Sequence, residues 1–340
     1  MAKLNGPGVA AVGVDVAKAT LSVFLRAPDG TGEALSLRNT DADARRLAAR
    51  LAGFSGRIVM ESTGHYHWRP ALALSGAGLD VRVVNPILSK KYTAGTVRKV
   101  KTDPADASAL ARMAHLAGDD LPPRFAMGAP ALALRKRLSA AACARTQLQA
   151  LRASLRSLAE ARESVGVRAP SPAERSLSAA ADALDGSVSE MEAEFAAAAE
   201  LVADRDAVAA IDSIPGVTRL CALVALHWLS PGNGAGPKSW VAFAGLDVSS
   251  RESGTWRGKC RLTKRGNADL RRRLYSAAWG AAMPDGPFRD YYLGLKADGH
   301  PHVEALTIVA RKIVRLMHMA ATTKAHYDPS LAGFPEPKNA

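Results

Sequence analysis

The sequence predicts an α/β layer fold with a mixed sheet at its N-terminal end, followed by a mainly helical remainder. Three strands come first in succession, and helices and strands then alternate as far as about residue 86. From about residue 129 the composition shifts to Ala, Leu, Arg and Glu, with apolar residues at helical spacing. We therefore expect an α/β domain at 8–128, a helical segment at 129–205 and a mainly α-helical domain at 206–330.

The N-terminal elements follow from short apolar runs and their boundary signals. Three strand runs come first, VAAVGVDV, LSVFLRAP and EALSLRNT, and the pair Asp29-Gly30 is a turn signal between the last two. The helical run DADARRLAARLAGF, the strand RIVMES, the helix WRPALALSGAG and the strand DVRVVNP follow in that order. Asp103 then has the features of a helix N-cap, because Pro104 is suited to the first helical position.

The middle segment predicts two helices that form a hairpin or a coiled coil. Its first apolar stripe has three-four-three spacing and consists of Leu148, Leu151, Leu155 and Leu158. The stretch VRAPSPAE interrupts the pattern, and a second stripe consists of Leu177, Leu184, Val188, Met191 and Phe195. Such stripes pack either within one chain or between two chains, and the length of this pair favours dimerisation.

The last segment begins with IDSIPGVTRLCALVALHWL, a turn followed by an apolar helix. This pattern is similar to half of a helix-hairpin-helix, in which backbone amides at the start of the helix hold a DNA phosphate. Any Pro-Gly turn before a helix has the same appearance, so the pattern alone does not decide the function.

The charge balance predicts a polyanionic partner. The chain has 45 Lys and Arg against 32 Asp and Glu, a net charge of +13, which favours nucleic acid over an anionic membrane. No apolar run approaches the roughly 20 residues that span a bilayer, and the N-terminus has no secretory signal pattern. The three cysteines are far apart and form no CxxC pair, which fits a reducing compartment. We therefore expect a cytoplasmic protein that does not bind a membrane.

Four carboxylates stand at positions where metal ligands are expected. Asp15 and Glu61 each end a buried strand, and strand ends are where ligands gather in α/β sheets. Asp103 and Asp106 lie three residues apart, so they are either a cap with an extra first-turn acid or a pair of ligands on one helix face. Together the four acids predict a site for two Mg²⁺ ions about 4 Å apart, which suits phosphodiester chemistry.

Three segments resemble the DEDD motif blocks of a bacterial insertion-sequence transposase family that includes Piv-like DNA invertases and bridge-RNA-guided recombinases. These segments are VGVDVAKATL, MESTGHY and KVKTDPADASALA. The resemblance implies a ribonuclease H/RuvC-like N-terminal domain with Asp15, Glu61, Asp103 and Asp106 as a Mg²⁺-binding tetrad. SIPGVTRLCALVAL and the stretch from Ser239 to Trp279 look like the second conserved domain of that family. Two residues depart from its pattern, Thr218 at a usual glycine and Val248 at a common proline.

The same resemblance places a nucleophilic serine at Ser253. From composition alone, a serine in a glycine-containing loop is most simply a solvated residue, but the surrounding charge would stabilise phosphate. The predicted nucleic-acid contacts are basic or aromatic residues around it: Arg251, Trp256, Arg257, Lys259, Lys264, Arg265, Arg271, Arg272 and Arg273. Because consecutive residues cannot share one helix face, we expect one of the last three arginines to pack internally. We interpret His65 and His67 as turn or substrate-proximal side chains, and we expect Trp240 in the core.

The expected function is that of an RNA-guided DNA transposase that cuts and rejoins DNA through a phosphoserine intermediate. The resemblance implies donor and target DNA, a structured noncoding guide RNA, and a dimer or tetramer with composite active sites as partners. Three alternatives stay open: a Piv-like site-specific invertase, a RuvC-like metal-dependent nuclease or junction resolvase, and a noncatalytic nucleic-acid-binding protein.

Overall fold

A computed structural model describes residues 4–62, 64–93, 103–118, 121–229, 236–249, 252–253, 256–257 and 261–334. The chain divides into two compact units, Met1–Ala133 and Leu134–Ala340.

The first unit is built on a five-stranded mixed sheet. Its strands are β1 (Ala11–Val16), β2 (Thr20–Arg26), β3 (Gly32–Arg38), β4 (Arg57–Glu61) and β5 (Asp80–Val84). They lie in the order β3-β2-β1-β4-β5. The pairs β1–β2 and β2–β3 are antiparallel, whereas β1–β4 and β4–β5 are parallel. The five predicted strands and the mixed sheet are confirmed.

Helices cover both faces of this sheet. They are α1 (Asp41–Arg50), α2 (Trp68–Gly76), α3 (Pro86–Thr93) and α4 (Asp103–Leu116). On one face, Val12 and Val14 share a buried cluster with Leu47 of α1 and Leu74 of α2. On the other face, Ala11, Val59 and Val84 cluster with the side chains that α4 directs at the sheet, Leu110, Met113 and Ala114. Successive residues of a strand point to opposite faces of the sheet. Val12 and Val14 of β1 therefore face α1 and α2, whereas Ala11 faces α4.

Helix α4 lies directly on β1 and runs toward the start of the parallel strands. A Cβ atom at Gly13 would collide with the backbone oxygen of Ala107 and the backbone nitrogen of Ala111, so only glycine permits this approach. After α4 the chain reaches the beginning of β5, where the Phe125 N–H donates a 2.8 Å hydrogen bond to Val81. The first turn of α4 therefore lies at the opposite edge, where β1 and β4 end.

A long antiparallel helical hairpin consists of α5 (Ala129–Ser164) and α6 (Pro172–Glu200), and all of it from Leu134 onward belongs to the second unit. Ion pairs connect the two helices in antiparallel register: Arg162–Glu174 at 2.7 Å, Arg152–Asp185 at 3.1 Å and Arg145–Glu192 at 2.7 Å. Ser171 and Glu174 form a capping box at the start of α6. The helical pair therefore forms within one chain.

In the described part of the second unit, six further helices form the core: α7 (Arg205–Asp212), α8 (Arg219–Leu229), α9 (Pro237–Phe243), α10 (Ala268–Ala282), α11 (Pro287–Ala297) and α12 (His302–Thr323). The residues that the structure describes between α9 and α10 form four short strands: β6 (Val248–Ser249), β7 (Glu252–Ser253), β8 (Trp256–Arg257) and β9 (Arg261–Leu262). Trp240 is buried in this core, as expected. The predicted helical character of the C-terminal part is confirmed. Within the described ranges, none of the helices has both the length and the apolar character needed to cross a bilayer.

Candidate active site

Asp15 and Glu61 occupy equivalent positions at the ends of two adjacent parallel strands. Val14 of β1 is in register with Met60 of β4, so the next residue of each strand is one of these acids. Gly13 and Val59 point to the face covered by α4, and two residues farther along each strand the side chain returns to that face. Both carboxylates therefore belong to the α4 side of the sheet, and both are half-buried.

The first turn of α4 brings Asp103 and Asp106 to the same edge. Ala107, which follows Asp106, lies over Gly13, two residues before Asp15 in the strand. Asp106 is half-buried, and Asp103 begins the helix, but its side chain lies outside the described residues. Among the side chains that are described, no group of three or more Asp, Glu, His or Cys residues is close enough to hold a metal ion. The structure describes Asp15, Glu61 and Asp106, and these three do not form such a group in it. Convergence of the full tetrad stays a prediction.

A buried hydroxyl orients Glu61. Ser89 of α3 is only 4% exposed and donates a 2.6 Å hydrogen bond to Oε2 of Glu61. The carbonyl oxygen of Pro86 lies 3.1 Å from the same hydroxyl and is the alternative acceptor for its one hydrogen. Glu61 is therefore directed toward α3 and not into solvent. Sequence reasoning missed Ser89, because its partner depends on how α3 docks on the sheet.

Ser253 lies at the far end of a nested β-hairpin in the second unit. The outer strands pair Val248 with Leu262, and the inner strands pair Ser253 with Trp256. Ser253 is thus the last residue of β7, and two residues separate it from its pairing partner. The side chains of Ser253 and Trp256 lie outside the described residues.

The base of this hairpin is fixed between α9 and α10. Thr263 donates two hydrogen bonds to Asp247. Its hydroxyl donates to the Asp247 carboxylate, and its N–H donates to the Asp247 carbonyl at 3.0 Å. Gly245 has φ +69°, and the backbone around Gly266 packs against it so closely that neither position accommodates a Cβ atom. Asn267 then caps α10 by accepting the Leu270 N–H at 3.0 Å. Sequence reasoning did not predict these contacts of Asp247 with Thr263 and of Gly245 with Gly266.

The predicted nucleic-acid contacts of the hairpin are described only in part. Arg251 and Lys259 lie outside the described residues, and for Trp256 and Arg257 only the backbone is described. Lys264 and Arg265, which follow the hairpin, are exposed. Lys264 adopts φ +52°, so the chain turns sharply at this basic pair.

The three consecutive arginines of α10 have different surroundings. Arg271 is half-buried and donates a 3.3 Å hydrogen bond to the carbonyl of Ala244. Arg272 pairs with Asp269 at 2.7 Å. Arg273 is 9% exposed and lies between Asp269 at 3.0 Å and Glu192 at 2.7 Å.

The surroundings of Arg273 decide its role. Burial alone would lower the pKa of Arg273, but the two carboxylates more than offset it and raise that pKa. Glu192 also pairs with Arg145, so Arg273 fastens α10 to the helical hairpin. Arg273 is therefore the arginine that packs internally, and its charge is already neutralised by acids of the same unit.

The turn between α7 and α8 packs against α10. Gly216 has φ +76°, and a Cβ atom there would collide with the backbone of Ala277 and Ala281. Thr218 caps α8, because its hydroxyl accepts the N–H of Cys221 at 3.2 Å. The threonine at a position where a glycine is usual therefore has a structural role in this chain.

Sequence reasoning also gave no role to three cations of the first unit. Lys18, Arg45 and Arg69 line an open cavity of about 720 Å³. His65 lines the same cavity, whereas His67 is buried. His65 therefore fits the expectation of a turn residue that is accessible to a ligand.

Comparison with known protein families agrees with this architecture. A sequence model for DEDD transposases of the IS110 type, described as a transposase model, matches residues 12–163. A second model, described as the transposase IS116/IS110/IS902 family, matches residues 208–293. Both matched models thus describe transposases, and together they match more than two thirds of the chain. Two separate segments of the chain are thus similar to transposases of the IS116/IS110/IS902 type.

A relative from Streptomyces clavuligerus, the insertion element IS116 uncharacterized 44.8 kDa protein, is 34% identical over 90 residues. That stretch is 26% of this chain and 23% of the relative. The match thus spans about a quarter of the length of that relative.

Proposed function

We propose that this protein is an RNA-guided DNA transposase that cuts and rejoins DNA through a phosphoserine at Ser253, assisted by the carboxylates of Asp15, Glu61, Asp103 and Asp106. The observation that supports this most strongly is the placement of all four tetrad positions at one edge of one sheet. The ends of β1 and β4 and the start of α4 lie at this edge. The four acids that these elements carry are separated by up to 91 positions in the sequence. The first family match includes all four positions, and the second includes Ser253.

We propose in addition that the first unit has a ribonuclease H/RuvC-like fold. The strand order β3-β2-β1-β4-β5, with an antiparallel meander followed by parallel strands, supports this assignment. Helices on both faces leave the carboxyl edge of β1 and β4 as the place where ligands gather.

The donor set at this edge suits Mg²⁺. Carboxylate oxygens are the ligands that this hard cation prefers, and Glu61 is already oriented by a buried hydroxyl, as metal ligands usually are. Bound Mg²⁺ supplies charge stabilisation to a phosphodiester during displacement. When Mg²⁺ is bound, the four side chains would hold it and would position the scissile phosphate beside it.

In the proposed chemistry the Ser253 hydroxyl attacks a backbone phosphorus. An Oγ–P bond forms, one P–O ester bond of the DNA breaks, and the departing DNA oxygen takes up a proton as the serine loses one. A hydroxyl of another DNA end then attacks the same phosphorus and releases serine. The ester conserves the bond energy between the two steps, so strands are exchanged and not hydrolysed. The exposed Lys264 and Arg265 support binding of the phosphates.

The guide RNA and the oligomer belong to the same proposal. A net charge of +13 supports a complex with several nucleic-acid strands. Exposed apolar side chains toward the tip of the helical hairpin, Leu158 and Leu177, support self-association through that segment. A composite active site, with tetrad and serine from different protomers, is part of this proposal.

A covalent adduct tests the proposal directly. Wild-type protein with a DNA substrate and Mg²⁺ should form a denaturant-resistant protein–DNA complex, and Ser253→Ala should abolish it while leaving DNA affinity nearly unchanged. Ser249→Ala is the matched control, because it removes a hydroxyl from the outer strand pair of the same hairpin. An adduct that survives in Ser253→Ala places the nucleophile elsewhere, whereas full cleavage without any adduct favours the RuvC-like nuclease.

The tetrad has its own test. Asp106→Asn should abolish adduct formation, because it removes a charge at nearly constant volume. Asp29→Asn makes the same chemical change in the exposed turn before Gly30, where asparagine is equally suitable, and should leave activity unchanged. Full activity of Asp106→Asn in Mg²⁺ would remove this residue from the site.

A further inference from the structure

We propose that the cavity of the first unit lined by Lys18, Arg45, Arg69, His65, Tyr66 and Trp68 is a binding site for one unstacked nucleotide of a single strand. This inference rests on the proposed function and adds a second contact site for its nucleic acid. The cavity measures about 720 Å³, within the range of sites that hold small ligands.

Aromatic rings and cations meet in this cavity in the combination that a nucleotide requires. The centroids of His65 and Tyr66 are 4.7 Å apart, and those of His65 and Trp68 are 6.0 Å apart. Tyr66 and Trp68 are half-buried, so each ring keeps part of its surface accessible. Any nucleobase gains free energy by stacking on such ring surfaces, whereas an anion without an aromatic ring does not.

The cations supply the phosphate contacts. Lys18 and Arg45 are exposed, and neither forms an ion pair with any residue in the ranges that the structure describes. Arg69 is 2.9 Å from Asp41, so its charge is partly compensated at the rim. The charge of the cavity therefore favours a phosphate beside the base.

The cavity borders the edge that holds the candidate catalytic acids. Buried Asn39 donates hydrogen bonds to the carbonyls of Ala17 at 2.9 Å and Tyr66 at 3.1 Å, which joins two loops. The first loop begins just after Asp15, and the second begins just after Glu61. The cavity and the acids thus lie at the same edge of the sheet, the cavity on the side of α1 and α2 and the carboxylates on the side of α4.

The charge contribution is tested with fluorescently labelled (dT)12 and (rU)12 and the full-length protein. The double variant Lys18→Gln/Arg45→Gln should bind more weakly and should flatten the dependence of log affinity on log salt by about 0.7, the contribution of one single-strand phosphate contact. Arg46→Gln is the matched control, since Arg46 is the next residue of α1, pairs with Asp43 at 3.0 Å and does not line the cavity. An unchanged slope in the double variant would overturn the site.

The stacking contribution is tested with Trp68→Leu and Trp68→Phe. The leucine variant should lose about fivefold or more in affinity, because stacking on one aromatic ring contributes at least that factor, and the phenylalanine variant should retain most of it. His65→Ala gives a second test at an exposed position in case Trp68→Leu fails to fold. Wild-type affinity in Trp68→Leu or His65→Ala, with folding verified by circular dichroism, would show that no base stacks there.

The two oligonucleotides show which nucleic acid the cavity binds. A loss confined to (dT)12 assigns the cavity to DNA, and a loss confined to (rU)12 assigns it to RNA. The adduct assay separates this inference from the proposed function. If the cavity variants lose affinity while Ser253→Ala still forms the adduct, the proposed nucleophile is wrong and the nucleotide site stands. If binding is unchanged and the adduct depends on Ser253, only the nucleotide site is wrong.

Discussion

Ser89 holds Glu61 through a 2.6 Å hydrogen bond from a hydroxyl that is almost fully buried. The bond joins α3 to the end of β4, so the orientation of the carboxylate depends on a helix that contributes no acid of its own. Ser89 is thus a positioning residue for the proposed metal site, since it acts through Glu61.

We predict that Ser89→Ala raises the Mg²⁺ concentration needed for half-maximal adduct formation by about two- to tenfold, the worth of one hydrogen bond to a ligand. Saturating Mg²⁺ should largely restore the rate, because the carboxylate itself remains. A Mg²⁺ titration of the adduct checks this. Ser75→Ala, which removes a hydroxyl at the end of α2, should leave the titration unchanged. A titration of Ser89→Ala that coincides with that control would contradict the positioning role.

The strands and most helices of the first unit could be predicted because local patterns determine them. A continuous apolar run, buried almost throughout, identifies β1, alternating burial identifies β2, and Pro104 after Asp103 identifies the start of α4. The contact of Ser89 could not be predicted, since it arises from the docking of two elements that are 28 residues apart. The close backbone contact between Gly245 and Gly266 could not be predicted for the same reason, because two segments that are distant in the sequence must meet to form it.

The leucines of the helical hairpin have different environments, which the sequence pattern does not reveal. Leu148 is 2% exposed within a single chain, whereas Leu158 is 47% exposed and Leu177 is 44% exposed. The apolar stripe is thus internal packing near the base and accessible surface toward the tip.

We predict that Leu158→Ser/Leu177→Ser gives a folded species of lower mass by light scattering, with little change in melting temperature. Leu148→Ala should instead lower the free energy of unfolding by about 2–5 kcal/mol, as expected for a buried leucine. It is the control for a loss of internal packing. If the double variant keeps the mass of the wild type, the hairpin tip is not the site of self-association.

His227 makes the stability of the second unit sensitive to acid. Burial and the nearby Arg135 lower the pKa of His227 to about 4. In the unfolded chain its pKa is near the usual 6.5, so between pH 6.5 and 4 the unfolded state binds more protons. We therefore predict that the melting temperature is highest above pH 6.5 and falls as the pH decreases toward 4.

Replacing the residue tests this assignment. His227→Gln should weaken the pH dependence between pH 6.5 and 4, because no titrating ring then remains beside Arg135. His326→Gln removes an exposed histidine of the same unit and should leave the pH dependence as in the wild type. Melting curves at several pH values give the comparison. Equal slopes for wild type and His227→Gln would show that other groups cause the acid sensitivity.

Gly216 links the turn before α8 to the helix that follows the serine hairpin. Its φ of +76° is unfavourable for other L-residues, and the backbone of α10 occupies the space of a Cβ atom. Gly216→Ala should therefore lower the free energy of unfolding by about 2 kcal/mol or more, from backbone strain and overpacking together.

Gly186 is the matched position for this prediction. It lies inside α6 of the same unit, and a Cβ atom there would meet nothing within 4 Å. Gly186→Ala should raise stability by about 0.5–1 kcal/mol, because alanine loses less conformational freedom in a helix. Urea midpoints at equal m-values measure both changes. Should Gly216→Ala prove as stable as the wild type, the turn before α8 does not rest on α10.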